Sequence, residues 1–134
     1  MNIWTNGCYD ILHLGHIKLF EFAKSLGNKL YVGIDSDHRI SLNKGPERPI
    51  NNQEDRKYVL SSIKFIDSVY VFDSDIALEN LLLSNNIDTI VVGDDYMDKP
   101  VVGSSLVQNV IFFPRINNLS TSKIYESIIN TRTN

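Results

Sequence analysis

The stretch Ile3-Trp4-Thr5-Asn6-Gly7-Cys8-Tyr9-Asp10-Ile11-Leu12-His13-Leu14-Gly15-His16, followed by Ile17-Lys18-Leu19-Phe20-Glu21-Phe22-Ala23-Lys24, decides how this chain is read. A short apolar strand feeds a glycine-containing turn, and the turn runs into an amphipathic helix. The first N–H groups of such a helix lack intrahelical partners, and the positive end of its dipole faces the same point. A strand, turn and helix start in this order therefore form a ready anion site. His13 and His16, three residues apart, share one side of the helix start. Each imidazole can donate a hydrogen bond or carry charge near neutral pH. Gly15 between them lets a bulky ligand approach the backbone. Two plainer readings compete, a metal-binding pair and ordinary helix-start residues. The metal reading lacks further ligands, because His38 and Cys8 show no ligand spacing.

Outward from this stretch, strand and helix patterns alternate. Strands are expected at 2–6, 29–34, 68–72, 89–92 and within 108–113. Helices are expected at 15–26, from Asn51 to about Phe65, at 76–85 and at 122–130. Gly27 is expected to cap the first helix. Asn51-Asn52-Gln53-Glu54 carries an N-cap with a glutamate three residues on. The stretch 35–50, polar and holding Gly45, Pro46 and Pro49, is expected to be a loop. Alternation of this kind implies an α/β fold, a single Rossmann-like domain over residues 1–134 with a five-stranded parallel sheet flanked by helices. Ligands of such sheets lie beyond the carboxyl ends of the strands. The segments 7–16, 35–50, 93–96 and 115–121 all follow strand ends and so converge on one edge.

Composition narrows the function classes. The chain has 134 residues, 43% of them apolar, enough for one domain with one sizeable core. Its net charge of −3 argues against a non-specific nucleic-acid binder. The single cysteine excludes an intramolecular disulfide and fits a reducing, cytoplasmic compartment. No apolar run reaches membrane-spanning length, and the N-terminus has no signal-peptide layout.

The histidine stretch resembles the nucleotidyltransferase superfamily with the His-x-Gly-His signature, and Gly7-Cys8-Tyr9-Asp10 matches that family's Gly-x-Phe-Asp with Tyr9 in the aromatic place. Asn118-Leu119-Ser120-Thr121-Ser122-Lys123-Ile124 resembles the second signature, Ile-Ser-Thr-Thr-Lys-Ile. Arg115 falls where cytidylyltransferases of the family carry an arginine. Gly93-Asp94-Asp95-Tyr96 resembles the Gly-Asp-Asp-aromatic segment of glycerol-3-phosphate and choline-phosphate cytidylyltransferases. Two other stretches point elsewhere. Lys44-Gly45-Pro46-Glu47-Arg48-Pro49-Ile50-Asn51 and Val101-Val102-Gly103-Ser104-Ser105-Leu106-Val107 look more like the adenylyltransferase domain that activates heptose phosphate.

The resemblance implies attack on the α-phosphorus of a nucleoside triphosphate with loss of pyrophosphate and no covalent enzyme intermediate. Positioning and charge stabilisation then supply most of the catalysis. His13 and His16 suit the triphosphate, Ser120 and Thr121 its terminal phosphates, and Arg115 a bidentate phosphate contact. Lys44 matches a lysine that relatives bring over the reacting phosphates. Gly7, Cys8, Tyr9, Gly15, Gly93, Asp94, Asp95 and Tyr96 are the further nucleotide-binding candidates, with Cys8 acting through its backbone. Asp10 and Arg56 join Lys44 as acceptor-binding candidates. Asp10 also reads as a residue that orders the turn, and Arg56 as a helix-surface ion pair. Arg39 reads as solvated. CTP is the expected nucleotide and glycerol 3-phosphate the expected acceptor. ATP with a sugar phosphate is the alternative, and a non-catalytic nucleotide-binding module the third reading. Mg²⁺ is expected as the companion of the triphosphate, without dedicated protein ligands. A homodimer is implied by the resemblance alone.

Overall fold

The computed structural model describes residues 1–114. Within them lie β1 (Asn2–Gly7), α1 (Leu14–Ser25), β2 (Lys29–Asp35), α2 (Asp37–Lys44), α3 (Gln53–Ser61), β3 (Ser68–Phe72), α4 (Asp75–Ser84), β4 (Thr89–Gly93) and β5 (Asn109–Phe113), with 3₁₀ turns at Asp94–Tyr96 and Ser104–Leu106. The five strands form one parallel sheet in the order β3-β2-β1-β4-β5. This is the α/β, five-stranded architecture expected. The helix expected at 122–130 lies outside the described residues.

Successive strand residues point to opposite faces, so each strand feeds two cores. Ile3, Val32 and Val91 face one side, where Phe20 and Ala23 of α1 and Leu60 of α3 cover them. Trp4, Ile90 and Val92 face the other, against Leu78 and Leu82 of α4. The Trp4 indole is accommodated because Gly33, on the neighbouring strand, has no side chain. A Cβ there would stand 2.3 Å from Trp4 Cζ2.

Between β1 and β4 the sheet reverses its winding. The chain leaves β1 through α1 to reach β2 on one side, and returns from β3 through α4 to reach β4 on the other. The crevice of an open α/β sheet opens beyond the carboxyl ends at this reversal.

Three expectations are corrected. The stretch 35–50 is not a loop throughout, since Asp37–Lys44 is helical. Ser36 caps it by accepting from Arg39 N at 3.2 Å. The helix buries only Ile40. One such side chain contributes ~1.5–3 kcal/mol, so polar ties from its first turn supply much of its anchorage. The helix starting after Asn52 ends at Ser61 rather than near Phe65. Asn52 is its cap, accepting from Asp55 N at 2.8 Å. Gly27 is not the left-handed cap of α1. Leu26 holds that place in right-handed geometry. Gly27 is needed for space instead, because a Cβ would lie 2.5 Å from Met1 O.

Candidate active site

A cleft of about 690 Å³ opens at the carboxyl edge of the sheet, lined by the ends of β1, β2, β4 and β5 together with α1 and α2. That size is within the usual range of ~300–1,000 Å³ for small-molecule sites. His13, Gly15 and His16 line it, as do Gly7, Cys8, Tyr9, Lys44, Gly93, Asp95 and Tyr96. The structure therefore brings together most of the residues singled out in the sequence. Asp94, Asp10 and Arg56 do not line the cleft, and Arg115, Ser120 and Thr121 lie outside the described residues.

The histidine turn is organised by its own backbone. His13 is the N-cap of α1, and its Nδ1 accepts the Gly15 N–H at 3.0 Å. His16 Nδ1 accepts the His13 N–H at 3.2 Å. An imidazole nitrogen that accepts a backbone N–H carries no proton, so each neutral ring keeps its hydrogen on Nε2. The two rings stack at 3.9 Å between centroids. Burial, reinforced by the neighbouring His13, lowers the His16 pKa from 6.5 to about 4. At neutral pH His16 is thus a donor of one hydrogen bond rather than a cation.

Gly15 has a specific task here. A Cβ at that position would stand 2.8 Å from His13 Cε1, so the missing side chain is what lets the His13 ring fold back over the helix start. Tyr9 is a wall rather than an open surface. Its backbone takes a positive φ of 49°, and its ring packs edge-on against His16 at 5.3 Å and Phe20 at 5.2 Å. Its burial pushes the phenol pKa upward. Cys8 faces the cleft, its thiol donating to Asp35 Oδ2 at 3.6 Å. Burial first, and the Asp35 carboxylate second, raise the thiol pKa, outweighing Lys44 and Arg56. Cys8 is accordingly an unreactive neutral thiol.

Asp10 and Arg56, expected at the acceptor, are instead buried and committed to the backbone. Asp10 is 3% exposed. Its carboxylate accepts from Arg48 Nε at 3.1 Å, Ile50 N at 2.8 Å and Asn51 N at 2.8 Å. Asn51 Nδ2 returns a bond to Asp10 O at 2.6 Å. Arg56 is 2% exposed. Its Nε donates to Asn51 O, its Nη1 to Cys8 O and Asp35 O, and its Nη2 to Asp37 Oδ1, all within 2.8–3.0 Å. These two side chains latch the histidine turn, the end of β2, the start of α2 and the start of α3 to one another. Neither a substrate contact nor a helix-surface ion pair describes Arg56.

Arg39 is not simply solvated either. It bonds Asp35 Oδ1 through Nε at 2.8 Å and Asp75 Oδ1 through Nη2 at 2.6 Å, and its guanidinium lies over the Phe72 ring at 5.3 Å. Asp35, Asn43 and Lys99 are cleft residues that sequence reasoning did not single out. Position directly after a strand end was the available signal for Asp35. For the other two, no motif announced them. Among the described residues no three His, Cys, Asp or Glu side chains are grouped to hold a metal ion.

The sequence profile of the cytidylyltransferase-like family matches residues 4–127. The chain belongs to the cytidylyltransferase-like family. It is 44% identical over 126 residues to the bifunctional protein HldE of Campylobacter concisus, covering 94% of this chain and 26% of that protein. It is 40% identical over 126 residues to the bifunctional protein HldE of Sulfurimonas denitrificans, again covering 94% and 26%. The chain thus spans about a quarter of the length of these curated relatives. Among solved structures, a lipopolysaccharide core biosynthesis protein from Thermoplasma volcanium superimposes with a TM-score of 0.71 at 24% identity, covering 87% of this chain and 98% of that one. A pantoate-beta-alanine ligase from Francisella tularensis gives 0.60 at 17% identity, covering 94% and 68%. Both share the fold.

Proposed function

We propose that this chain is a nucleotidyltransferase that moves an adenylyl group from ATP to the phosphate of a heptose-type sugar phosphate, releasing pyrophosphate. The observation that carries the reaction class is the pair of stacked imidazoles, each locked by a backbone N–H as an Nε2–H donor, at the N-terminus of α1 on the cleft wall. Donors fixed before the substrate arrives need no reorganisation as charge grows on the leaving pyrophosphate. A neutral donor also places no permanent charge on the phosphates that a product would have to leave.

In this reading a phosphate oxygen of the acceptor attacks the α-phosphorus in line. The α–β bridging bond breaks, and its electron pair goes to the departing pyrophosphate. His13 and His16 donate to phosphate oxygens. Lys44, at the end of α2, adds charge from the β2 side of the cleft. Ser120, Thr121 and Arg115 are proposed to complete the phosphate contacts.

The choice of ATP over CTP rests on the relatives. Identity of 40–44% to bifunctional HldE proteins runs across nearly the whole chain. It includes the two stretches, Lys44–Asn51 and Val101–Val107, that resemble the heptose-phosphate-activating domain. The contrary cues, Gly93–Tyr96 and Arg115, favoured CTP and glycerol 3-phosphate, but they are short and one of them lies outside the described residues. The long likeness outweighs them.

A matrix of the four nucleoside triphosphates against sugar phosphates, glycerol 3-phosphate and phosphocholine, read by pyrophosphate release, tests the proposal. ATP with a sugar phosphate is the expected productive pair. Preference for CTP with glycerol 3-phosphate would overturn the substrate choice. Absence of pyrophosphate from every pair would overturn the enzymatic reading in favour of a binding module on the same fold.

A further inference from the structure

Three cations line the cleft among the described residues: Arg39, Lys44 and Lys99. They are not equivalent. Arg39 is held by two carboxylates, Asp35 and Asp75. Lys44 and Lys99 form no ion pair with any described carboxylate, although Asp94, Asp95 and Asp98 closely precede Lys99 in the chain. The Lys99 ammonium sits instead over the Tyr96 ring, 5.4 Å from its centre. A cation parked on an aromatic face is positioned, yet its charge is not cancelled.

The two lysines approach the histidine turn from opposite sides. Lys44 follows β2 and Lys99 follows β4, and β1 runs between those strands. The cleft walls on the two sides differ in chemistry. At the end of β2 and along α2 stand Asp35, Arg39, Asn43 and Lys44 with Ile40, a mostly polar wall suited to a hydroxylated, phosphorylated acceptor. On the β4 and β5 side Val92, Tyr96, Val101, Val102 and Phe113 make a mostly apolar wall suited to the flat faces of a base, with Asp95 and Lys99 as its charged members. Lys99, which follows β4, is therefore the cation beside the wall suited to the base.

We propose that Lys99 is a further nucleotide-binding residue, whose ammonium leaves or shares the Tyr96 face to contact the polyphosphate of the incoming nucleotide. This rests on the nucleotidyltransferase reading and extends it to a residue outside the signature motifs. Its side chain is exposed, so replacing it does not disturb the core.

Calorimetric titration of Lys99→Met and Lys99→Arg with ATP and with adenosine tests it. A charge-assisted hydrogen bond is worth enough that Lys99→Met should weaken ATP binding by roughly 10-fold. Lys99→Arg should recover most of that loss, and adenosine, which carries no phosphate, should bind all three proteins equally. The salt dependence of ATP binding should also become shallower in Lys99→Met. Equal ATP affinity in Lys99→Met and the unaltered protein overturns the proposal. So does an equal loss for adenosine, which would make Lys99 part of the wall and not a phosphate contact. Failure of the unaltered protein to bind any nucleoside triphosphate would overturn the nucleotidyltransferase reading itself, and is recognised without any variant.

Discussion

The histidine turn and the Asp10–Arg56 latch meet at the end of β1 and divide the work of the site. The turn is the part we propose carries the chemistry, and it ties together little of the fold. His13, Gly15 and His16 face the cleft, and the two bonds that set the rings run between residues two or three apart. The latch ties elements together, and its own two side chains do not line the cleft, although Arg56 holds the backbone of the cleft residues Cys8 and Asp35. Asp10 reaches 38 to 41 residues along the chain and Arg56 up to 48. Local bonds give a preorganised pair of donors. Distant bonds fix where that pair stands relative to α2 and Lys44. Altering the turn should cost rate, and altering the latch should cost stability.

The largest effect is expected from the latch. Asp10→Ala removes the Asp10 carboxylate from the nearly buried Arg48 guanidinium and strands the Ile50 and Asn51 backbone N–H groups. Breaking a buried pair from one side typically costs ~3–5 kcal/mol. Urea unfolding should show a loss of that order, and a change below about 1 kcal/mol would mean the latch is dispensable. Next comes His16→Ala, expected to lower kcat by about 10²-fold or more, the scale of losing one preorganised donor. Its unfolding midpoint should move far less than that of Asp10→Ala. Equal damage to stability in both would erase the distinction between turn and latch.

Gly15→Ala sharpens the same comparison within the turn. Its methyl would meet His13 Cε1 at 2.8 Å, so the ring must swing away. A displacement on the scale of 1 Å can cost up to ~10²-fold in rate. Steady-state kinetics should show kcat falling by about 10- to 10²-fold while circular dichroism stays unchanged. Unchanged kcat would mean the folded-back ring is not the working geometry. Lys44→Ala should have the smallest effect of the four on the fold and reduce kcat/KM by roughly 10-fold, because it removes one charge from the cleft rim. Normal kcat/KM would return Lys44 to a solvated helix end.

The same contrast explains what could be read from sequence. The strands were legible because their apolar residues run nearly unbroken between turn signals. Ser68–Phe72 was located to the residue, and the histidine turn was legible because its meaning is contained in a few adjacent residues. Helix α2 was missed because it buries a single apolar side chain, Ile40, and so shows no 3.6-residue apolar stripe. Its cap, Ser36, was the one readable sign. The role of Arg56 was hidden for a different reason. Its partners Asn51, Asp37, Asp35 and Cys8 come together only when four elements meet, and nothing in Glu54-Asp55-Arg56 distinguishes a buried tie from a surface charge. Gly15 reads as an opening for the ligand and does line the cleft; only the structure adds that it also makes room for the adjacent His13 ring.

The claim that the turn acts through neutral, tautomer-locked imidazoles is tested most directly by ¹⁵N nuclear magnetic resonance of the His16 ring across pH 3 to 8. The ordinary histidine pKa is 6.5, and burial lowers that of His16 to about 4. Between those values the unfolded chain binds a proton that the native ring refuses. The contribution of His16 to stability is therefore complete above pH 6.5 and is lost as pH falls toward 4. The account predicts a neutral ring at pH 6, protonated on Nε2 and bare on Nδ1, titrating near pH 4, with the fall in stability over that window reduced in His16→Gln. A ring that is already an imidazolium at pH 6, or a neutral ring carrying its proton on Nδ1, would contradict it.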